Sequence, residues 1–270
     1  MTFNKKLTYL GFGLLFSLTG IICDILLDIT NVYVYLSIVT ISTLVSLAAF
    51  YKVHKGTYIL DKAIYLSLFV ICAYIFPFAF PNLDNYIKAI YFLGMGGVIY
   101  GLLLSFNIYI VAEKVNENIP LIQPARLIVF ITTIMGSFLF ATVNYKLIIF
   151  SNLPLVNLLI KSILFFVYYY LIFYTIRWFF LDEKIGELKA KNLVKIESIS
   201  FFAVLVITQL SIVLMYFPYE AYASSIILSV TTYILMNLIQ NLLVHNVNTK
   251  YILESVFLIV LSLFIAFFIS

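Results

Sequence analysis

The sequence predicts an all-α fold: a polytopic transmembrane helical bundle of about nine spans, with the N-terminus cytoplasmic and the C-terminus outside. Three observations predict it. First, 64% of the 270 residues are hydrophobic and 10% are charged, whereas a soluble domain holds about 25% charged residues and about half apolar ones. A chain of this size cannot hide so much apolar surface from water, so its solvent is lipid. Second, the apolar residues gather into runs of around 20, the length that crosses about 30 Å of hydrocarbon. Third, the 16 Lys and Arg residues divide unevenly between the two sets of connecting segments. With the N-terminus inside, the inner segments hold Lys5, Lys6, Lys52, Lys55, Lys62, Lys114, Arg126, Arg177, Lys184, Lys189, Lys191, Lys195 and Lys250. The outer segments keep Lys88, Lys146 and Lys161. That bias sets the threading by the positive-inside rule. The chain 1–270 reads as a single integral membrane domain of the cytoplasmic membrane.

The nine runs are 7–27, 32–50, 59–80, 88–112, 126–149, 155–181, 198–217, 222–244 and 251–269. The first has a basic start at Lys5 and Lys6, like a signal peptide. No Ala-x-Ala cleavage pattern follows and a second span begins within a few residues, so it reads as a retained span. Punctuation falls where turns are needed: Asn31, Pro81-Asn82, Pro120 and Pro124, Asn152 with Pro154, and Pro218. Between spans 6 and 7 lies "LDEKIGELKAKNLVKIES". Ile185, Leu188, Leu193 and Ile196 can share one helix face there, with Lys184, Lys189, Lys191 and Lys195 around the rest. The segment 182–197 is therefore expected as a basic cytoplasmic loop, either plain or folded into an interfacial helix that touches anionic lipid through those lysines.

Span 1 ends in an unusual way. In "GFGLLFSLTGIICDILLD", Gly13, Ser17, Gly20, Asp24 and Asp28 are spaced by four, three, four and four residues. They share one helix face, opposite Leu, Phe and Ile. Small stripes let helices approach closely in lipid, so the face and its carboxylates should turn into the bundle. Asp28 belongs at the headgroup level. Asp24 lies a turn deeper, where an ionised carboxylate needs a cation or water. The cations on that side are Lys146, near the end of span 5, and Lys161, inside span 6. Two readings stay open: a structural ion pair of Asp24 with Lys161 or Lys146, or an outward-facing polar pocket. Further polar residues would join that pocket: Asn144 on span 5, Gln209 near the middle of span 7, and Asn237 on span 8. Ser225, Ser229, Thr232 and Gln240 stripe span 8, and Thr133, Ser137, Ala141 and Asn144 stripe span 5. Each stripe can line water or simply make interhelical hydrogen bonds. In "LGMGGVIYGLLLS", Gly97 and Gly101, with Gly94 a turn earlier, suggest close packing or an unwound helix.

Function classes narrow by what is missing. No nucleotide-binding, hydrolase-elbow or zinc-protease motif is present, nor a Cys-x-x-Cys pair. No catalytic residue, cofactor or metal site is assigned. His54 and His245 lack nearby acidic partners for a metal. Cys23 and Cys72 lie singly inside apolar runs, as small fillers. The net charge of +4 is scattered over short loops, so no nucleic-acid partner is expected. The partners are the bilayer and, in one reading, another membrane protein.

The stretch "GLLFSLTGIICDILLD" resembles the start of lysoplasmalogenase-type membrane proteins, whose small-residue helix ends in Gly-Asp with leucines. That resemblance implies an intramembrane lipid-modifying enzyme. Here three residues separate Gly20 from Asp24. The C-terminal part, "MYFPYEAYASSIILSVTTYILMNLIQNLLVH" followed by "YILESVFLIVLSLFIAFF", resembles multi-spanning bacterial membrane proteins of unknown function through Pro218, Glu220, Tyr233, His245 and Glu254. It implies a membrane fold and no activity. Three functions are carried forward: a transporter-like or ligand-binding membrane protein, a non-catalytic accessory or structural subunit, and a lipid-modifying enzyme.

Overall fold

The computed structural model describes residues 3–26, 59–80, 82–115, 121–147, 154–176, 189–217, 220–244 and 249–269. Among them are eight α-helices and no strand: α1 (Phe3–Ile21), α2 (Ile59–Ile75), α3 (Asn85–Val115), α4 (Ile122–Leu147), α5 (Pro154–Thr175), α6 (Lys189–Met215), α7 (Ala221–Val244) and α8 (Thr249–Ile269). Seven helical segments are long and apolar enough to cross a membrane, from Lys6–Asp24 in α1 to Ala221–Leu242 in α7. The ninth predicted span is helical as α8, with a shorter apolar stretch at Tyr251–Ile265. The second predicted span, 32–50, lies outside the described residues, as do Asp28 and Lys184.

Prolines explain two boundaries. The third predicted span runs to residue 80, but α2 stops at Ile75 and continues as a 3-10 turn, Phe76–Ala79. Pro77 has no N–H to give to Ala73, four residues back, so the α-helical ladder ends there. The released Ala73 carbonyl is taken up by the Tyr91 hydroxyl of α3 at 2.8 Å, which satisfies a buried backbone acceptor. Pro154 opens α5 at its first position, where a missing N–H costs nothing. Pro124 falls within the first turn of α4 rather than in the turn before it, for the same reason.

The chain divides into two compact units, Met1–Thr132 and Thr133–Ser270, the division falling within α4. In the first unit α1 packs antiparallel along α3. Tyr9 reaches Asn107 at 3.4 Å, and Ser17 donates to the Phe92 carbonyl at 3.0 Å. The predicted small stripe is the contact face: Gly13, Ser17 and Gly20 are buried, while Leu10, Leu14, Leu15, Leu18 and Ile22 are exposed. A Cβ at Gly13 would stand 2.5 Å from the Gly96 carbonyl oxygen, and one at Gly20 would overlap the Phe92 ring. The glycine that matters on α3 is thus Gly96. Gly94 and Gly97 are exposed and meet nothing within 4 Å. The helix runs unbroken through all of them, so the unwound-helix reading of this stretch fails. On α2, Tyr65 bonds Thr132 at 3.0 Å, and Tyr74 closes on Thr19 and on the Phe16 carbonyl of α1.

In the second unit α5, α6, α7 and α8 pack in chain order. The second half of α4 is tied to α5 and α7 by Ser137, which bonds Tyr169 at 2.8 Å and Thr232 at 2.9 Å. The Phe140 and Tyr168 rings stack with centroids 3.8 Å apart. Ser225, Ser229 and Thr232 of α7 also bond their own helix. Ser225 donates to Ala221, Ser229 to Ser225 and Thr232 to Leu228, each four residues back. Such back-bonding hides a hydroxyl in an apolar medium without a second helix. The outer helix α8 is held by Tyr251 donating to the Ile234 carbonyl and by Tyr233 donating to Glu254. Most of its large apolar side chains, from Ile252 to Phe268, are exposed, as in a helix facing lipid.

Candidate functional site

Three constellations carry polar chemistry among the described residues. The first ends α1. Its last turn widens into a π-helical turn, Ile22–Leu26, which carries the buried Cys23 and the predicted Asp24. The cation at Asp24 is Lys88 in the first turn of α3, 3.3 Å away, with side chains 9% and 12% exposed respectively. Neither Lys146 nor Lys161 was needed to explain this carboxylate. Each charge sits at the unfavourable end of its own helix dipole. Antiparallel packing places it by the favourable end of its partner's. The pair lacks hydrogen-bond alignment at Asp24 Oδ2, so it is a Coulombic contact.

The second constellation joins Asn144 and Lys161 as backbone clamps. Asn144, fully buried, donates from Nδ2 to the Lys161 carbonyl at 3.2 Å. Lys161 Nζ returns a bond to the Tyr145 carbonyl at 2.9 Å, and the Tyr145 hydroxyl donates to the Ser211 carbonyl on α6 at 3.0 Å. Three helices are thereby laced through carbonyls that helical hydrogen bonding leaves with a spare lone pair. Asn144 Oδ1 takes no donor among the described residues. The other predicted residues are spread out. Lys146 is exposed in the last turn of α4, Gln209 is exposed on α6, and Asn237 is half-buried on α7.

The third constellation was not foreseen. A cleft of about 270 Å³ lies between the end of α5 and the start of α6, lined by Tyr170, Phe173, Tyr174, Glu197, Ser200, Phe201 and Val204. Phe173, Ser200 and Val204 are buried and form its floor. Tyr170, Tyr174, Phe201 and Glu197 are exposed and form its walls. The rings form a ladder along α5: Phe166 to Tyr170 at 6.2 Å and Tyr170 to Tyr174 at 6.0 Å, both stacked. Phe201 of α6 meets Phe166 edge-on at 6.4 Å. The available signal was Tyr170 and Tyr174 at four-residue spacing, facing a glutamate at the edge of the next span. It was hidden because 182–197 reads as a loop, whereas helix begins at Lys189 and runs straight on into α6. Lys189, Lys191 and Lys195 thus stand in the first two turns of α6.

Sequence reading counted Lys62 only as an inner-side cation and passed over Asp61; both are buried, 1% and 6% exposed, in the first turn of α2. Asp61 is well placed for the helix N-terminus. No group of three or more His, Cys, Asp or Glu side chains stands ready for a metal among the described residues. Comparison with protein-family models, curated proteins and solved structures finds no match. The two resemblances named above therefore rest on their own residues.

Proposed function

We propose that this chain is a ligand-binding multi-pass membrane protein and that its ligand presents an organic ammonium group to the α5–α6 cleft. The observation that carries the reading is that a carboxylate, Glu197, and exposed aromatic side chains line one cleft. A cation over an aromatic face gains about 0.5–2 kcal/mol, more as water is excluded. The volume, about 270 Å³, falls just under the roughly 300–1,000 Å³ of pockets for drug-sized ligands, and suits a head group. On the threading given by the Lys and Arg bias, the cleft opens on the cytoplasmic side. There the basic start of α6 adds affinity for phosphate or for an anionic leaflet. Neither transport nor catalysis is required by this chemistry.

The ammonium can come from a lipid head group or from a free amine. Full-length protein in phosphatidylglycerol nanodiscs, titrated with choline and with choline's neutral carbon isostere, tests the shared chemistry. Choline should bind better than the isostere, and Glu197→Gln and Tyr174→Leu should each weaken it about twofold to thirtyfold. Doping the discs with phosphatidylcholine should compete choline away if the source is lipid, and should leave it bound if the source is a free amine. Equal binding of choline and its isostere, or an unaffected Glu197→Gln variant, would overturn the proposal.

A further inference from the structure

We propose that Gln209 marks a homodimer contact: a second copy of this chain packs its α6 on the exposed face of α6, and the two Gln209 amides hydrogen-bond each other. The observation is independent of the cleft. Gln209 is exposed and makes no hydrogen bond to the described residues. It lies within the apolar segment Ile196–Met215. Counted at 1.5 Å per residue, the amide is about 9 Å from the nearer end of that segment. Its two methylenes are too short to reach the interface from there. A primary amide in hydrocarbon without partners loses hydrogen bonds it would have in water, and a partner helix is the usual remedy.

Between its ends the face around it is apolar. Ser198, Phe202, Leu205, Gln209, Val213 and Tyr216 are all exposed, at spacings of four, three, four, four and three. This seam lies opposite the buried residues Ala203, Val204, Ile207, Ser211 and Leu214 that face the bundle. A single amide flanked by apolar residues, here Phe202, Leu205 and Val213, is the arrangement that fixes register and partner number between helices.

Two arguments name a second copy as the occupant. An amide both donates and accepts, so Gln209 is complementary to itself. Copies inserted by the same rule share one orientation, so their twofold axis stands along the bilayer normal. Equal residues then meet at equal depth on an isologous interface. A different protein would need its own polar group at that same depth.

The test uses full-length protein in liposomes over a range of lipid dilution, with dimer fraction read by energy transfer between labelled copies. Gln209→Leu should weaken association about threefold to thirtyfold, the range spanned by measured and peptide-derived interhelical hydrogen bonds. Gln209→Asn should keep much of it. In a Cys23→Ala, Cys72→Ala background, single cysteines at Phe202, Leu205 and Val213 should cross-link between copies, and one at Ile131 on α4 should not. A chain monomeric at every dilution, Gln209→Leu associating like wild type, or cross-links at Ile131 but not along α6 would each overturn the proposal.

Discussion

Substituting Gly96 by alanine should separate α1 from α3. An added Cβ would stand 2.5 Å from the Gly13 carbonyl oxygen and closer still to the Ser17 hydroxyl. Ordinary carbon contacts lie near 3.5–4.0 Å, so the helices must part by roughly 1 Å. A gap of that size forfeits about half of the dispersion energy across the contact. It also stretches the Ser17–Phe92 hydrogen bond, now 3.0 Å, beyond useful length. The expected cost is about 1–3 kcal/mol, the usual range for overpacking. Gly97→Ala is the matched control, because a Cβ there meets nothing within 4 Å. It should change stability by no more than about 0.5 kcal/mol, with a slight gain from helix propensity. Reversible unfolding of both variants in mixed micelles, side by side with wild type, reads the difference. If Gly97→Ala were the more damaging of the two, the assigned register of α1 against α3 would be wrong.

Asp24→Asn strands the Lys88 ammonium and should cost less than the roughly 3–5 kcal/mol of a fully buried pair, because both side chains keep about a tenth of their surface exposed. Asp24→Leu with Lys88→Met should recover most of that loss, and a double-mutant cycle measures the coupling. Ser137→Ala removes bonds to both Tyr169 and Thr232. At about 0.6 kcal/mol per interhelical bond, it should lower stability by about 1 kcal/mol in the same unfolding assay. Single cysteines read the threading: one at Asp84 should react with an impermeant thiol reagent added outside, and one at Lys191 should not. External labelling of Lys191 would reverse the orientation.

The contact face of α1 was legible in the sequence. The four-three-four spacing of Gly13, Ser17, Gly20 and Asp24 turned that face inward because glycine and serine are the residues that allow helices to touch in lipid. The cation at Asp24 was not legible in the same way. Pairing depends on which helix lies beside α1, and neither hydropathy nor charge count carries that information. Lys88 was visible only as an outer-side lysine. The α3 glycines show a similar limit. "GMGG" offers several helical faces, and only the packing selects Gly96. Polar stripes were located correctly on α4 and α7, but their spacing alone could not tell a cavity from back-bonded hydroxyls. The cleft was missed because its two walls lie on opposite sides of a segment that looked like a loop.

The most direct test of the functional account is native mass spectrometry of the full-length protein released from a mixed membrane. Cation recognition by Glu197 and the Tyr170–Tyr174 ladder predicts retention of ammonium-bearing species, phospholipid or free amine, in preference to phosphatidylglycerol. The preference should vanish in Glu197→Gln. Bound species indifferent to head-group charge, or a preference that survives Glu197→Gln, would contradict it.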